Sequence, residues 1–379
     1  MVSLNPYRQN QIIVIKIGSA LLVDPEAGKL RANWLKGLCQ DVSLLRQSGL
    51  SVILVSSGAI ALGRTRLNLW GRKLSLAEKQ ACAATGQSIL TRAYEDALSP
   101  FDLTTAQILL TLNDTENRRR WLNARNTIGT LLELGIVPII NENDTVATDE
   151  IRYGDNDRLA ARTAQMLSAD TLILLSDIDG LYNRDPRAYD NAEHIPEVLD
   201  ITHDITEMAG ASNAEAGVGS GGMATKIAAA RISTQAGCDM CIMDGRDPNP
   251  IKRLQNGAKS SWFKAVLNPK DARRQWIGGH LNAKGRLTID DGAKRALRDG
   301  KSLLAVGVTE VSGEFEKGDT VRVFSTSETE LARGIIAYSA KDTQKILGKS
   351  TQEIAEILNY DYGMPLIHRD NLVMVDRVK

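Results

Sequence analysis

The sequence predicts an α/β protein, an open and mostly parallel sheet sandwiched by helices, followed by a small β-rich domain. Three observations carry this expectation. Short β-branched runs alternate with helical patterns over the first two-thirds of the chain. Those runs are almost continuously apolar, as strands are when helices cover both faces of a sheet. After about Phe263 the pattern changes to short strands separated by turn residues.

In order, strands are expected over Ile12–Ile17, Ser51–Val55, 136–140 and 171–175, with helices over 34–47, 76–97 and 123–134. A polar segment bearing Gly or Asn follows each strand, and open α/β sheets place ligands at those carboxyl ends. A helix-forming run, Ile227-Ala-Ala-Ala-Arg231, follows a glycine-rich loop. The charged, proline-bearing stretch 268–275 reads as part of a linker. Beyond it, strands are expected over 286–289, 303–306 and 320–324, with a turn at 314–319. The domains are therefore placed at 1–266 and 285–368, with the linker at 267–284.

Composition excludes several classes. The chain has 379 residues, room for two domains, and 43% are hydrophobic, enough for a full core. Lys+Arg and Asp+Glu both number 46, so no overall field attracts nucleic acid or an anionic membrane. Aromatics make up 4%, too few for a base-stacking surface. Four cysteines do not make a disulfide scaffold. Cys238 and Cys241 have CxxC spacing, but nothing completes a zinc site, and the segment reads as a turn entering a buried strand. The N-terminus lacks the features of a signal peptide, and no apolar window approaches ~18 residues, so a soluble, cytoplasmic protein is expected.

Lys16 interrupts an apolar strand. It is either aimed at an anion or an edge lysine facing water. Ser56 and Ser57 stand between the second strand and a helix, where hydroxyls hold a carboxylate or, more usually, cap the helix. Six carboxylates lie between Glu142 and Asp157 in a spacing that does not fit an EF-hand. They form a solvated acidic loop, or a loop that binds an ammonium group and organises lysines. Ser176-Asp177 ends another strand and runs into a turn containing Tyr182 that suits an adenine base or is an ordinary loop closed by Asp185-Pro186. Gly217-Val-Gly-Ser-Gly-Gly-Met-Ala-Thr-Lys226 precedes a helix-forming run and is either a flexible connection, the commoner role of such a loop, or an anion site of backbone N–H groups and one ammonium. It matches neither the Walker nor the dinucleotide pattern. Arg118-Arg-Arg120 reads as a solvated helix face.

Taken together and in this order, these segments resemble the amino acid kinase family, in its glutamate-phosphorylating branch. The resemblance is carried by Lys16-Ile-Gly-Ser19, Ser56-Ser-Gly-Ala-Ile-Ala-Leu-Gly63, Asn141-Glu-Asn-Asp144, Gly154-Asp-Asn-Asp157, Ser176-Asp177, Gly180-Leu-Tyr182, Asp185-Pro186 and Gly221-Gly-Met223 with Thr225-Lys226. The C-terminal part resembles a PUA domain in Gly285-Arg-Leu-Thr-Ile-Asp-Asp-Gly-Ala293, Lys301-Ser-Leu-Leu304, Gly307-Val308, Gly318-Asp319 and Ala332-Arg-Gly334. The family pattern usually has threonine where Ser19, Ser176 and Ser220 stand, and serine where Ala20 stands.

The resemblance implies the amino acid kinase fold and Mg²⁺-supported, ATP-dependent phosphorylation of the γ-carboxylate of L-glutamate. It implies that Lys16, Asp157 and Lys226 are catalytic, and that Ser57, Asn141, Asp144 and Asn156 bind glutamate. Lys16, Ser176, Asp177, Ser220, Gly221, Gly222, Met223, Ala224, Thr225 and Lys226 would bind ATP, with no protein metal ligand assigned. It further implies feedback inhibition by proline, a homo-oligomer (dimer or tetramer) and functional coupling to glutamate-5-semialdehyde dehydrogenase. The alternatives are a family member acting on aspartate, acetylglutamate, carbamate or UMP, or an RNA-binding or RNA-modifying PUA protein. An ACT-type tail would be expected of an aspartate kinase. Residues 281–379 hold as many Lys and Arg as Asp and Glu, which argues against RNA.

Overall fold

A computed structural model describes residues 11–146, 156–208, 222–278, 283–358 and 365–375. The chain forms two compact units, Met1–Pro269 and Lys270–Lys379.

The strands of the first unit are β1 (Ile12–Ile17), β2 (Ser51–Val55), β3 (Thr105–Leu110), β4 (Val137–Glu142), β5 (Thr171–Ser176), β6 (Leu181–Tyr182), β7 (His194–Ile195), β8 (Glu197–Val198), β9 (Asp239–Asp244) and β10 (Ser260–Phe263). Its helices begin with α1 (Ser19–Leu22), α2 (Ala32–Gln47), α3 (Ala59–Arg66), α4 (Leu76–Leu98) and α5 (Leu112–Glu116). They continue with α6 (Arg118–Glu133), α7 (Asn156–Leu167), α8 (His203–Met208), α9 (Met223–Gln235) and α10 (Pro250–Gln255). Eight strands form one sheet in the order β3-β4-β2-β1-β5-β9-β10-β8. The pairings from β3 through β9 are parallel, and β10 runs antiparallel to β9.

Helices cover both faces because the strands alternate their apolar side chains between two cores. Ile13, Ile15 and Ile17 of β1 pack with Trp34, Leu38 and Val42 of α2 and Leu90 and Tyr94 of α4. Val14 packs on the other side with Leu159, Ala160 and Ala164 of α7 and Ile227 and Ala230 of α9. Helix α4 starts at a reciprocal cap between Ser75 and Glu78. It then lies against α3 so closely that a Cβ on Gly86 would stand 1.8 Å from the Ala59 carbonyl oxygen. Only glycine permits that approach, and the next residue, Gln87, meets Asn141 near the carboxyl end of β4.

The second unit adds α11 (Pro269–Gly278), β11 (Gly285–Ile289), α12 (Asp291–Arg298), β12 (Val308–Gly313), β13 (Thr320–Ser325), β14 (Glu330–Ile335), α13 (Ala340–Lys345), α14 (Thr351–Leu358) and β15 (Leu372–Met374). Its five strands order as β12-β11-β13-β14-β15 around a separate core that includes Leu287, Val321, Val323 and Tyr338.

The boundary between the two units falls within the stretch expected to be a linker, where Pro269 opens α11 and Arg273 donates to Asn371 Oδ1 at 2.6 Å within the second unit. One expectation is corrected here. Residues 303–306 are not a strand, because Leu303 makes one isolated bridge to Ile367 and Ala305–Gly307 is a 3₁₀ turn. Leu304 and Val306 face solvent, so apolarity there does not mark a buried strand. Among the described residues no helix is long and apolar enough to cross a membrane.

Candidate active site

Strand β1 lies between β2 and β5, with Lys16 in register with Val55 and Leu174, so Lys16 is not an edge residue. An ammonium 7% exposed at the centre of a sheet needs a counter-charge. Asp157, in the first turn of α7, supplies it: Lys16 Nζ lies 2.6 Å from Oδ1 and Lys226 Nζ lies 3.0 Å from Oδ2. Burial would raise the Asp157 carboxyl, but the two ammonium groups outweigh it and hold the group down to about 2. The triad carries one net positive charge in a dry setting, which leaves it competent to attract a polyanion.

Lys226 stands near the start of α9, whose N-cap, Gly222, makes no side-chain cap. The N–H groups of the first turn of α9 point toward the N-terminal end, where an anion is favoured. Thr225 Oγ1 lies 3.0 Å from Asp157 Oδ2 and 2.8 Å from the Gly222 carbonyl oxygen. Met223 and Ala224 occupy the same turn, whereas Ser220 and Gly221 lie outside the described residues.

A second, uncharged cluster adjoins the triad through the neighbouring residue Asn156. Its Nδ2 lies 2.9 Å from the Ser56 carbonyl oxygen, 2.7 Å from Ser57 Oγ and 3.1 Å from Asn141 Oδ1. Asn141 Nδ2 in turn donates to Gln87 Oε1 at 2.8 Å. The usual capping role for the two serines is not what forms. Gly58, left-handed at φ 101°, takes the N-cap position of α3 with no side-chain cap. Ser57 Oγ is thereby left to share the two Asn156 Nδ2 protons with the Ser56 carbonyl and Asn141 Oδ1, and Ser56 Oγ meets the buried Tyr94 hydroxyl at 2.9 Å.

Asp144 follows β4 and makes no hydrogen bond to either cluster among the described residues. Burial without a cation raises its carboxyl to about 6. A carboxylate so placed favours an incoming ammonium group.

Ser176 ends β5, beside β9, Asp177 follows it, and Ser176 Oγ donates to Asp177 Oδ1 at 3.2 Å. Asp177 borders a cleft of about 500 Å³ lined also by Ile178, Asp179, Tyr182, Arg187 and Arg246. Arg187 holds Asp177 at 2.8 Å. Burial works to raise the Asp177 carboxyl, and the Arg187 contact brings it below its ordinary value. Arg187 and Arg246 carry no sequence signal, being arginines in polar loops. Gln87 was also missed, although a glycine inside a helical pattern, Gly86, is a signal of close packing next to it.

Among the described residues no group of three or more His, Cys, Asp or Glu is arranged to hold a metal. Both oxygens of Asp157 face ammonium groups, so this donor set does not fit a protein-held Mg²⁺. Cys238 and Cys241 are buried, Cys241 within β9, and burial raises both thiols, as suits inert core residues.

The model of the Amino acid kinase family matches residues 11–244, and that of the PUA domain matches residues 285–358. The chain is similar to Glutamate 5-kinase of Caulobacter vibrioides (strain NA1000 / CB15N), 54% identical over 362 residues, 96% of each chain. It is similar to Glutamate 5-kinase of Paramagnetospirillum magneticum, 52% identical over 371 residues, 98% of this chain and 100% of that one. Glutamate 5-kinase 1 of Rhizobium meliloti is 53% identical over 372 residues, 98% of this chain and 93% of that one.

Proposed function

This chain belongs to the amino acid kinase family and carries a PUA domain, and from that premise we propose that it phosphorylates the γ-carboxylate of L-glutamate with ATP. The products are L-glutamyl 5-phosphate and ADP, and the reaction opens proline biosynthesis. The observation that carries the reading is one buried carboxylate, Asp157, that holds two lysine ammonium groups from β1 and α9.

A carboxylate attacking the γ-phosphorus in line needs no general base. Catalysis is then alignment and charge neutralisation. Lys16 and Lys226 offset the charge that gathers on the transferring phosphoryl group. Asp157 keeps both ammonium groups in place without cancelling them. Mg²⁺ bound to the phosphates of ATP would supply shielding of their charge, and no side chain among the described residues is assigned to hold it. Thr225 and the N-terminal N–H groups of α9 face the phosphate chain, with residues 220–226 as its cradle. Ser176 and Asp177 meet the nucleotide at the cleft that also holds Tyr182. Asp144 and Asn156 Oδ1 take the α-ammonium of glutamate, with Ser57 and Asn141 holding the cluster in shape.

The kinase chemistry is assigned to the first unit. Proline, which has the same α-carboxylate and a secondary ammonium, is proposed to inhibit at the glutamate pocket. A homo-oligomeric state, dimer or tetramer, and coupling to glutamate-5-semialdehyde dehydrogenase complete the proposal. The test is ADP release with a panel of amino acids, aspartate and acetylglutamate included, with hydroxylamine trapping any acyl phosphate. Glutamate alone should give a hydroxamate; a hydroxamate from another acceptor, or none, contradicts the reading.

A further inference from the structure

Asn156 heads a chain of side-chain hydrogen bonds that all run one way. Its Nδ2 donates to Asn141 Oδ1 at 3.1 Å, Asn141 Nδ2 donates to Gln87 Oε1 at 2.8 Å, and Gln87 Nε2 points at Thr91 Oγ1 at 3.5 Å. Thr91 Oγ1 then meets Gln107 Oε1 at 2.6 Å. Asn156, Asn141 and Gln87 are 6%, 2% and 9% exposed, so water does not readily replace a lost partner.

The direction of the chain is fixed by chemistry at its head. The Ser56 carbonyl, 2.9 Å from Asn156 Nδ2, accepts and cannot donate. The Asn156 amide is therefore set with its nitrogen inward. Asn141 must then present oxygen to Asn156 and nitrogen to Gln87, and Gln87 must present Oε1. One consequence is an orphan: Asn156 Oδ1 is buried and has no partner among the described residues. An unpaired buried carbonyl is costly unless a ligand donor meets it, and bonds in a one-way chain polarise one another toward its free acceptor.

We propose that Gln87 is a positioning residue that locks Asn141, and through it Asn156, so that Asn156 Oδ1 selects substrates bearing an N–H donor. The relay thereby discriminates an α-amino dicarboxylate from the same dicarboxylate without its amino group. This inference rests on the glutamate reading and adds a residue on α4 to the substrate machinery. Gln87 touches neither substrate nor phosphate and acts only through Asn141. The close packing of Gly86 on Ala59 holds it at that distance.

The test compares full-length wild type, Gln87→Met and Gln87→Glu. Methionine keeps the length of glutamine and removes both polar groups, whereas glutamate, charged or protonated, still offers Asn141 an acceptor. Three quantities are measured: KM for glutamate, the inhibition constant of glutarate as the des-amino competitor, and KM for ATP. Gln87→Met should raise KM for glutamate about tenfold, the scale of one buried donor left unpaired, while glutarate and ATP shift less than about twofold. Gln87→Glu should restore KM to within about threefold of wild type. Parallel weakening of glutamate and glutarate, an unchanged glutamate KM in Gln87→Met, or a Gln87→Glu as impaired as Gln87→Met would each overturn the relay. If Gln87→Met does not fold, Gln87→Ala carries the same expectations. The wild-type chain judges the underlying reading separately. Should it fail to phosphorylate glutamate, that reading falls, and the relay is tested with whichever amino acid is accepted and its des-amino counterpart.

Discussion

Lys16 and Asp157 meet at 2.6 Å, an ammonium from the middle of a parallel sheet and a carboxylate from the first turn of a helix. Lys226 binds the other oxygen of the same carboxylate at 3.0 Å. One negative charge thus holds two positive ones, and removing it leaves two buried ammonium groups facing each other. Asp157→Asn should lower stability by roughly 3–5 kcal/mol, as for one partner lost from a buried ion pair. Urea unfolding would measure it, and a loss below about 1 kcal/mol would mean that the lysines find another counter-charge.

The same carboxylate predicts a pH dependence. Its folded value, about 2, lies below the ordinary carboxyl value near 3.8, so it stabilises the fold above that ordinary value. This contribution, on the order of 2 kcal/mol, is lost as pH falls from about 4 through about 2. Acid unfolding of Asp157→Asn should therefore be shallower than that of wild type across this window. Identical slopes would contradict the assignment.

Lys226→Met keeps the length of the side chain and removes its charge. Losing one preorganised cation at the transferring phosphoryl group should lower kcat by about 10²-fold or more. KM for glutamate should stay within about threefold, because uniform binding is not what is lost. A folded variant with near-normal kcat would exclude Lys226 from the chemistry.

Asp144 predicts the opposite pH behaviour from Asp157. Its carboxyl is raised to about 6 by burial, so below that pH the free protein carries it neutral and without attraction for an ammonium group. KM for glutamate should climb as pH drops from 7 to 5, and Asp144→Asn should raise KM at pH 7 and flatten that climb. Because a raised carboxyl opposes folding once ionised, Asp144→Asn should also raise Tm at pH 7. The inhibition constant for proline should rise together with the glutamate KM. If proline inhibits the variant as before, it binds elsewhere.

Much of this site was legible because its residues break local rules. Lys16 interrupts an apolar strand, the glycine loop precedes Lys226, and the acidic residues before Asp157 follow a buried strand. Each contradicts its surroundings, and such conflicts concentrate at functional sites. Gln87 breaks no rule, since an amide on a helix is ordinary, and its role appears only once Gly86 brings α4 against α3. The serines after β2 read as caps, yet left-handed Gly58 takes the N-cap position, and Ser57 Oγ meets Asn156 while Ser56 Oγ meets Tyr94. β3 has no legible sequence pattern, because its residues are mostly half-buried at the sheet edge and leave no clear period. Residues 303–306 misled because apolarity alone does not distinguish a strand from a 3₁₀ turn.

A chain ending at Asn268 tests whether the first unit is sufficient. The lysine triad, the amide cluster, Asp144 and the cleft at Asp177 all precede that residue. The shortened protein should fold and keep kcat within about fivefold, the scale of a peripheral effect. A folded but inactive protein would show that the reaction borrows residues from the second unit.

The most direct measurement follows oxygen from glutamate labelled with ¹⁸O in its γ-carboxylate. If that carboxylate attacks the γ-phosphorus, its oxygen becomes the bridge between carbon and phosphorus. Hydroxylamine then attacks the carbonyl carbon and releases phosphate bearing that oxygen. Each phosphate formed with γ-glutamyl hydroxamate should carry one ¹⁸O, and both products should be lost in Lys226→Met. Unlabelled phosphate would mean that water, not glutamate, receives the phosphoryl group, and would contradict the proposed reaction.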